Sequence, residues 1–268
     1  MLLSEIIETL EREFPGDTIL DGDRTGLQLG RSLPQVSKIL TAYELTDEVA
    51  DEAKNAGVEL IISFHPLIYF PLRSIQDEER VGKILRKLIL SDIALYVIHT
   101  NFDTHRLGTN NIIADKLNLS DRRMLAKSDQ GKNNAIGIVG NLPESLTTDE
   151  LAKLLSEIFS ASLKFTNGKS DIINSVAIVG GSGSSFLDNA LNSGADAYIT
   201  ADLTYHLFHA VKGKMALFDI GHYEMEQFNS AKMFEIISNL FEKMNLKITL
   251  SSINTNPVNY FYIQNRNN

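Results

Sequence analysis

Histidines and carboxylates recur in two segments of this sequence at a spacing that suits metal binding. His99 is followed four residues later by Asp103, and His222 is followed four residues later by Glu226. In a helical turn this spacing puts both side chains on one face, where an imidazole and a carboxylate can share one ion. Because the sequence contains no cysteine, thiolate sites, disulfides and cysteine nucleophiles are excluded. Imidazole and carboxylate ligands suit zinc, iron, manganese or a similar divalent ion.

The histidines also cluster by their position relative to the predicted strands. His65, His99 and His222 each come shortly after the C-terminal end of an apolar, β-branched run. Ligands of open α/β sheets gather at this edge, so the three imidazoles are candidates for one functional site. Each of them could instead be a histidine packed in the core. His105 and His209 are interpreted as surface or structural residues.

Three weaker features accompany the histidines. Gly181, Ser182 and Gly183 join a predicted strand to a helix and could hold a phosphate on free backbone N–H groups, although a tight turn would explain the glycines equally well. Asp202 precedes a predicted helix and is interpreted as its cap. Asp23 lies in another glycine-containing turn and could support a metal ligand from behind.

The elements that must position these residues alternate along the chain. An amphipathic helix is predicted over residues 2–14. Strands are predicted at 38–43, 58–62, 94–98, 135–139, 176–179, 197–199 and 216–220, and helices between them at 46–55, 79–91, 148–159 and 184–192. This alternation predicts an α/β protein with layers of helices around mainly parallel strands.

Self-comparison suggests that the chain contains two related halves. Residues 39–63 align without gaps to residues 176–200, with the same order of strand, helix, glycine and strand. A polar segment at 120–132 separates the two copies. The sequence therefore predicts two similar α/β domains facing each other around the site, one spanning residues 1–125 and the other residues 130–268.

Composition restricts the partners of the protein. Lysine and arginine number 25 against 34 acidic residues, giving a net charge of −9, so a nucleic acid is not expected as the main ligand. Residues 1–14 carry acidic groups in a helical period and do not resemble a secretion signal. No apolar stretch approaches the roughly 20 residues that a membrane helix needs. The protein is expected to be cytoplasmic and independent of membranes.

Six segments resemble the Nif-three-like dinuclear metal proteins, which are known as type 2 homologues of GTP cyclohydrolase I. The segments are GLQLG (26–30), LIISFHPLIYF (60–70), HTNFD (99–103), GGSGSSF (180–186), GADAYITADLTYH (194–206) and FDIGHYEME (218–226). Together they span nearly the whole chain. The resemblance implies two α/β domains around a two-metal centre, a homohexamer, and a short form without the inserted domain of longer members.

The resemblance also implies a set of metal ligands. The second histidine of the family's SHHP turn corresponds to His65, and the remaining ligands correspond to Asp103, His222 and Glu226. Phe64 stands where the family has the first histidine of that turn, so one imidazole donor is missing. We expect one metal to be held by His65, Asp103 and Glu226, and a second, weaker one to rely on His222 and Glu226 unless His99, Asp202 or water completes it.

The leading functional hypothesis is a metal-dependent hydrolase of the cyclohydrolase type. One or two divalent ions would activate a water molecule against a small, nucleotide-like substrate. His99 and His206 are the candidate acid and base, and the glycine loop at 181–183 would hold a phosphate. The alternative is a non-enzymatic metal-binding or scaffold protein that contacts regulatory partners. An open, polar cavity beside the metal would favour the enzyme.

Overall fold

The computed structural model describes residues 1–127 and 135–261. Its strands are β1 (Gly26–Leu29), β2 (Lys38–Ala42), β3 (Leu60–Ser63), β4 (Ala94–Val97), β5 (Ser120–Lys127), β6 (Ala135–Thr147), β7 (Lys164–Thr166), β8 (Ile172–Ser182), β9 (Ala197–Ala201), β10 (Ala216–Asp219) and β11 (Lys247–Leu250). Its helices are α1 (Leu3–Glu13), α2 (Asp47–Ala56), α3 (Arg80–Leu90), α4 (Thr100–Asp103), α5 (Thr109–Lys116), α6 (Thr148–Phe159), α7 (Leu187–Ser193), α8 (Tyr205–Val211), α9 (His222–Glu226) and α10 (Asn229–Leu240).

The strands form two sheets, and the predicted α/β class is confirmed. The first sheet has the order β1–β4–β3–β2–β11, and its pairings are parallel except for that of β1 with β4. The second sheet has the order β5–β6–β8–β9–β10–β7. It is parallel only from β8 through β9 to β10, whereas β5, β6 and β7 run antiparallel to their neighbours. The expectation of mainly parallel strands is therefore wrong for the second sheet.

The two sheets contain matching strand–helix–strand units. In the first unit Ile39 on β2 is opposite Leu60 on β3, and in the second Val176 on β8 is opposite Ala197 on β9, which is the register that the sequence alignment of 39–63 with 176–200 implies. Each helix also ends on a glycine in the left-handed region. A glycine ends a helix there at little cost because it has no Cβ to strain. The two halves thus share their local architecture.

Both sheets are covered by apolar side chains on their two faces. Along β9, Ala197 and Ile199 pack into one core while Tyr198 packs into the other, as alternation along a strand requires. In the first sheet, α2 and α3 cover one face, and α1 and α10 cover the opposite face. Hydrophobic burial on both faces fixes each sheet, and hence the positions of the loops that follow the strands.

The chain crosses between the sheets more than once. Residues 120–127, predicted as part of a polar boundary, form β5 of the second sheet, and residues 128–134 lie outside the described residues. After the second sheet is complete, α10 and β11 return to the first. The sheets therefore do not follow the division into 1–125 and 130–268, which stays a prediction about domains. None of the helices in the described ranges has the length and apolar character needed to cross a bilayer.

Candidate metal centre

The candidate site lies where the C-terminal ends of parallel strands from both sheets meet. His65 follows β3, and His99 follows β4 at the start of α4. From the second sheet, His222 begins α9 just after β10, and Glu226 ends that helix. The same direction of the strands in each sheet places these residues at one edge, which is why residues distant in sequence can converge.

The Glu226 carboxylate is the centre of this cluster. Its Oε2 atom lies 3.3 Å from Nε2 of His65 and 3.1 Å from Nε2 of His222. Possible ligand atoms of these three residues all lie within 4.8 Å of one another. Two imidazoles and one carboxylate form the donor set of many catalytic zinc sites and of non-haem iron sites. The three residues therefore fit a single divalent ion.

A carboxylate holds each imidazole of the site from behind. Glu44 contacts Nδ1 of His65 at 2.9 Å, and Asp202 contacts Nδ1 of His222 at 2.6 Å. With Nδ1 occupied in this way, the Nε2 atom of each ring faces Glu226. Carboxylates placed behind metal-binding histidines fix the ring orientation and increase the basicity of the ligand. This arrangement is a second argument for metal binding that does not depend on the three donors themselves.

The two imidazoles and the carboxylate of the cluster stabilise one another's charged forms. Burial alone would lower the pKa of His65 and His222, but hydrogen bonds with Glu226 and the outer carboxylates raise these values to about 9 and about 11. Burial alone would raise the pKa of Glu226, but its hydrogen bonds with the two imidazoles hold it well below the usual range. The buried Glu226 charge is therefore compensated by positive charge that a cation could replace.

Asp103 lies beside the cluster but outside the group of three. Among the described residues, the possible ligand atoms that lie within 4.8 Å of one another belong to His65, His222 and Glu226. His65 therefore shares this group with His222, and Asp103 is not a member of it. Thr109 donates its hydroxyl to Asp103 Oδ1 at 2.5 Å. Burial, followed by the negative charge of Glu226, raises the pKa of Asp103 to about 7. The role of Asp103 as a ligand stays a prediction.

Position 64, where the resemblance implies an imidazole, holds a packed phenyl ring. Phe64 is fully buried, and its ring centroid lies 5.4 Å from that of His99 and 6.0 Å from that of Phe102. His99 is held by Asp23, whose Oδ1 lies 2.7 Å from Nδ1 of the ring. Asp23 therefore supports the ring of His99, and its role behind a metal ligand stays a prediction. The ring of His99 stands edge-on to that of His65, with the centroids 5.4 Å apart.

The glycine loop contacts the cluster directly. A Cβ atom on Gly181 would lie 2.2 Å from Oε1 of Glu226, and Gly181 also has a positive φ of 66°. The carbonyl groups of Gly181 and Gly183 accept hydrogen bonds from Thr200 and Tyr198. Close packing against Glu226 is thus sufficient reason for glycine at position 181. Phosphate binding by Gly181, Ser182 and Gly183 stays a prediction.

Two further histidines differ in their surroundings. His206 is exposed on α8, and within the described residues its ring contact is with Tyr205 rather than with a member of the cluster. His105 is bonded to Glu13 at 3.1 Å, in agreement with a structural role. The interpretation of Asp202 as a helix cap is wrong. Thr204 precedes the first turn of α8, while Asp202 turns its carboxylate towards His222.

A cleft opens beside the cluster. It has a volume of about 450 Å³, within the range of small-molecule sites. Its lining residues are Tyr43, Glu44, Thr46, His65, Arg80, His222, Tyr223 and residues 255–258. The C-terminal segment forms one wall and is fastened by a hydrogen bond of 3.0 Å from Tyr260 to Glu224. His65 and His222 therefore face a space that a small molecule could enter.

Sequence reasoning missed two residues of the site. Tyr43 and Glu44 directly follow β2, at the same sheet edge as the histidines. Their position at the end of the strand predicted at 38–43 was the available indication, but a tyrosine and a single glutamate have no characteristic metal-binding spacing. Only the folded chain shows that Glu44 supports His65 and that Tyr43 donates a hydrogen bond to Glu226 at 2.8 Å.

The fold and the site together define an α/β protein with a candidate metal centre between two sheets. The chain belongs to the Duf34/NIF3 (NGG1p interacting factor 3) family, whose model matches residues 1–257. It is 34% identical to a GTP cyclohydrolase 1 type 2 homolog of Streptococcus pneumoniae over 269 residues, covering 97% of this chain and all of that protein. A Clostridium perfringens protein of the same name is also 34% identical, over 84% of this chain and 87% of the relative.

A solved structure shares the fold. A Bacillus cereus protein related to NIF3 superposes with a TM-score of 0.88, covering 97% of this chain and 99% of that one at 23% identity. The family model and the two relatives confirm the family assignment, and this structure confirms the fold. The expected homohexamer and the cytoplasmic location stay predictions.

Proposed function

We propose that this protein binds a divalent metal ion through His65, His222 and Glu226 and hydrolyses a small, nucleotide-like substrate. The observation that carries the proposal is the position of the donor cluster, whose two imidazoles form part of the wall of the cleft. A bound zinc, iron or manganese ion would supply an activated water molecule and polarise the bond to be cleaved. A sealed cluster would have no access to a substrate, whereas this one is open.

The surrounding residues support binding of a planar, anionic molecule. Tyr43 and Tyr223 line the cleft with their rings edge to face, 5.4 Å apart, and offer aromatic surface to a base. Arg80 adds a positive charge at the cleft wall, although it also pairs with Glu44 at 3.1 Å. His99 is the better supported of the two candidate proton-transfer residues, because Asp23 fixes its Nδ1 atom and thereby the orientation of its ring.

The test is metal analysis and a nucleotide hydrolysis screen on protein purified without chelator. We expect about one tightly held ion per chain and metal-dependent hydrolysis of a nucleotide-like compound. The variant Glu226→Gln should lose both, because an amide cannot replace the central charged ligand. Glu224→Gln is the matched control, since Glu224 is also buried on α9 but bonds Tyr260 instead of the cluster.

The possible results separate the two functional classes. Loss of metal in both variants, or in neither, would refute the assignment of the ligands. Metal bound through Glu226 without hydrolysis of any nucleotide in the screen would favour the non-enzymatic metal-binding or scaffold protein over the hydrolase.

A further inference from the structure

Tyr43 connects the first half of the chain to the central carboxylate of the second. It lies directly after β2, and its hydroxyl donates a hydrogen bond of 2.8 Å to Oε2 of Glu226 on α9. The two residues are 183 positions apart in sequence. Tyr43 also lines the cleft, so its phenol group lies at the boundary between the cluster and the space for a substrate.

Three polar atoms from three separate segments of the chain converge on the same carboxylate oxygen. Besides the Tyr43 hydroxyl, Nε2 of His65 and Nε2 of His222 lie 3.3 Å and 3.1 Å from Oε2 of Glu226. The phenol oxygen thus has the shortest of the three contacts. Any cation that the two imidazoles and Glu226 share must be accommodated in the volume that the phenol oxygen also borders.

The rings around Tyr43 fix its orientation. Its ring is stacked on that of Phe64, with the planes 14° apart and the centroids 5.8 Å apart. Tyr223 packs edge-on against it, and the ring of His65 lies 4.7 Å away. Phe64 therefore supplies no donor itself but forms a platform that helps to direct the Tyr43 hydroxyl to Glu226. The chain has lost an imidazole at one position and has an oxygen donor at a neighbouring one.

We propose that Tyr43 is a metal ligand, which joins His65, His222 and Glu226 as the fourth protein donor of a single-ion site. The inference rests on the proposed metal binding. On ligation the hydrogen bond from the phenol to Glu226 is exchanged for an oxygen–metal bond, and the phenol proton is released to the solvent. A hard oxygen donor would also allow the site to hold ferric iron, which can therefore serve as a probe for this ligand.

The experiment uses ferric iron as the probe, because a tyrosinate ligand gives ferric iron an intense visible charge-transfer band. Protein stripped with a chelator is loaded with ferric nitrilotriacetate, freed of excess iron, and measured for iron content and visible absorption. We expect the wild type to be coloured and Tyr43→Phe to retain iron without colour. Tyr223→Phe is the matched control, since it removes a hydroxyl from the same cleft and should stay coloured.

A second measurement checks the strength of the bond. Changes to groups that only support a ligand typically weaken metal binding about 10–100-fold, so losing a ligand should weaken zinc binding at least about tenfold in Tyr43→Phe. Circular dichroism of each stripped variant verifies that it is folded.

The iron experiment distinguishes a wrong assignment of Tyr43 from a failure of the proposed metal site. Iron bound to a colourless wild type, or a band that persists in Tyr43→Phe, would overturn the assignment of Tyr43 while leaving metal binding intact. A wild type that binds neither iron nor zinc would contradict the metal site itself, and the inference with it.

Discussion

Replacing Phe64 by histidine tests whether the phenyl ring leaves one metal position of the family's centre incomplete. Phe64 is fully buried beside His65 and His99, with ring centroids 5.0 Å and 5.4 Å away. An imidazole at this position would add a nitrogen donor beside His65, which belongs to the Glu226 cluster. We expect the variant to hold about two ions per chain where the wild type holds about one.

The cost of the substitution can be worked from the burial of Phe64. Removing a buried phenyl group entirely costs about 3–5 kcal/mol. An imidazole keeps most of the ring but brings polar nitrogens into the core, at about 1–3 kcal/mol for an unsatisfied group. The free energy of unfolding of the metal-free variant should therefore be about 2–3 kcal/mol lower than that of the wild type. A second ion at a concentration about 100 times its dissociation constant would return about 2.7 kcal/mol.

The assay is equilibrium dialysis with zinc, combined with urea unfolding in the presence and absence of chelator. Phe14→His is the control, because Phe14 is also buried in the same core but its ring packs against Phe102 and His105. The control should lose stability without gaining an ion. The reasoning is refuted if Phe64→His still binds one ion, or if the wild type already binds two with equal affinity.

Two further predictions concern residues that support the cluster. Burial alone would raise the pKa of Asp23, but the hydrogen bond and charge of His99, together with hydrogen bonds from Thr100 and the Arg24 backbone, lower it from 3.8 to about 2. Asp23→Asn should therefore lower the free energy of unfolding by about 2 kcal/mol at pH 7, and the loss should shrink as pH falls from 4 towards 2. Gly181→Ala should abolish metal binding, because the new Cβ would displace Glu226. Gly194 also has a positive φ, of 80°, but open space surrounds it. Gly194→Ala should therefore lose only about 1 kcal/mol of stability and keep its metal.

A measurement can contradict each of these two predictions. Urea unfolding at several pH values would count against the Asp23 argument if the difference from wild type stayed constant down to pH 3. For the glycine variants, zinc affinity is measured by calorimetric titration. Equal zinc affinity in the two alanine variants would mean that Gly181 does not control the position of Glu226.

The sequence predicts the regular elements well where hydrophobic periodicity is strong. The helix expected at 2–14 is α1, and the strands expected at 38–43, 94–98 and 216–220 are β2, β4 and β10 with small shifts at their ends. The return of β11 to the first sheet was not predictable from such patterns. Pairing between Lys247 and Lys38 is a long-range contact, and periodicity only describes neighbours along the chain.

The site was predictable to the extent that it depends on strand ends. His222 and Glu226 could be named because an imidazole and a carboxylate follow a predicted strand at a four-residue spacing, whereas His65 was named as a ligand from the family resemblance. The pairing of His65 with His222, in place of Asp103, depends on how the two sheets face each other, and no local pattern encodes that. Tyr43 was missed for the same reason, since its partner is 183 residues away.

Glu226 links the two sheets at this edge. Its carboxylate is only 3% exposed, and a buried charge is costly unless it is paired. His65 and Tyr43 from one sheet and His222 from the other provide the pairing. Without metal, the raised pKa values of the imidazoles supply the compensating protons, and with metal the cation replaces them. Ion binding is therefore coupled to the contact between the sheets, because side chains from both sheets would hold either the protons or the cation that neutralises Glu226.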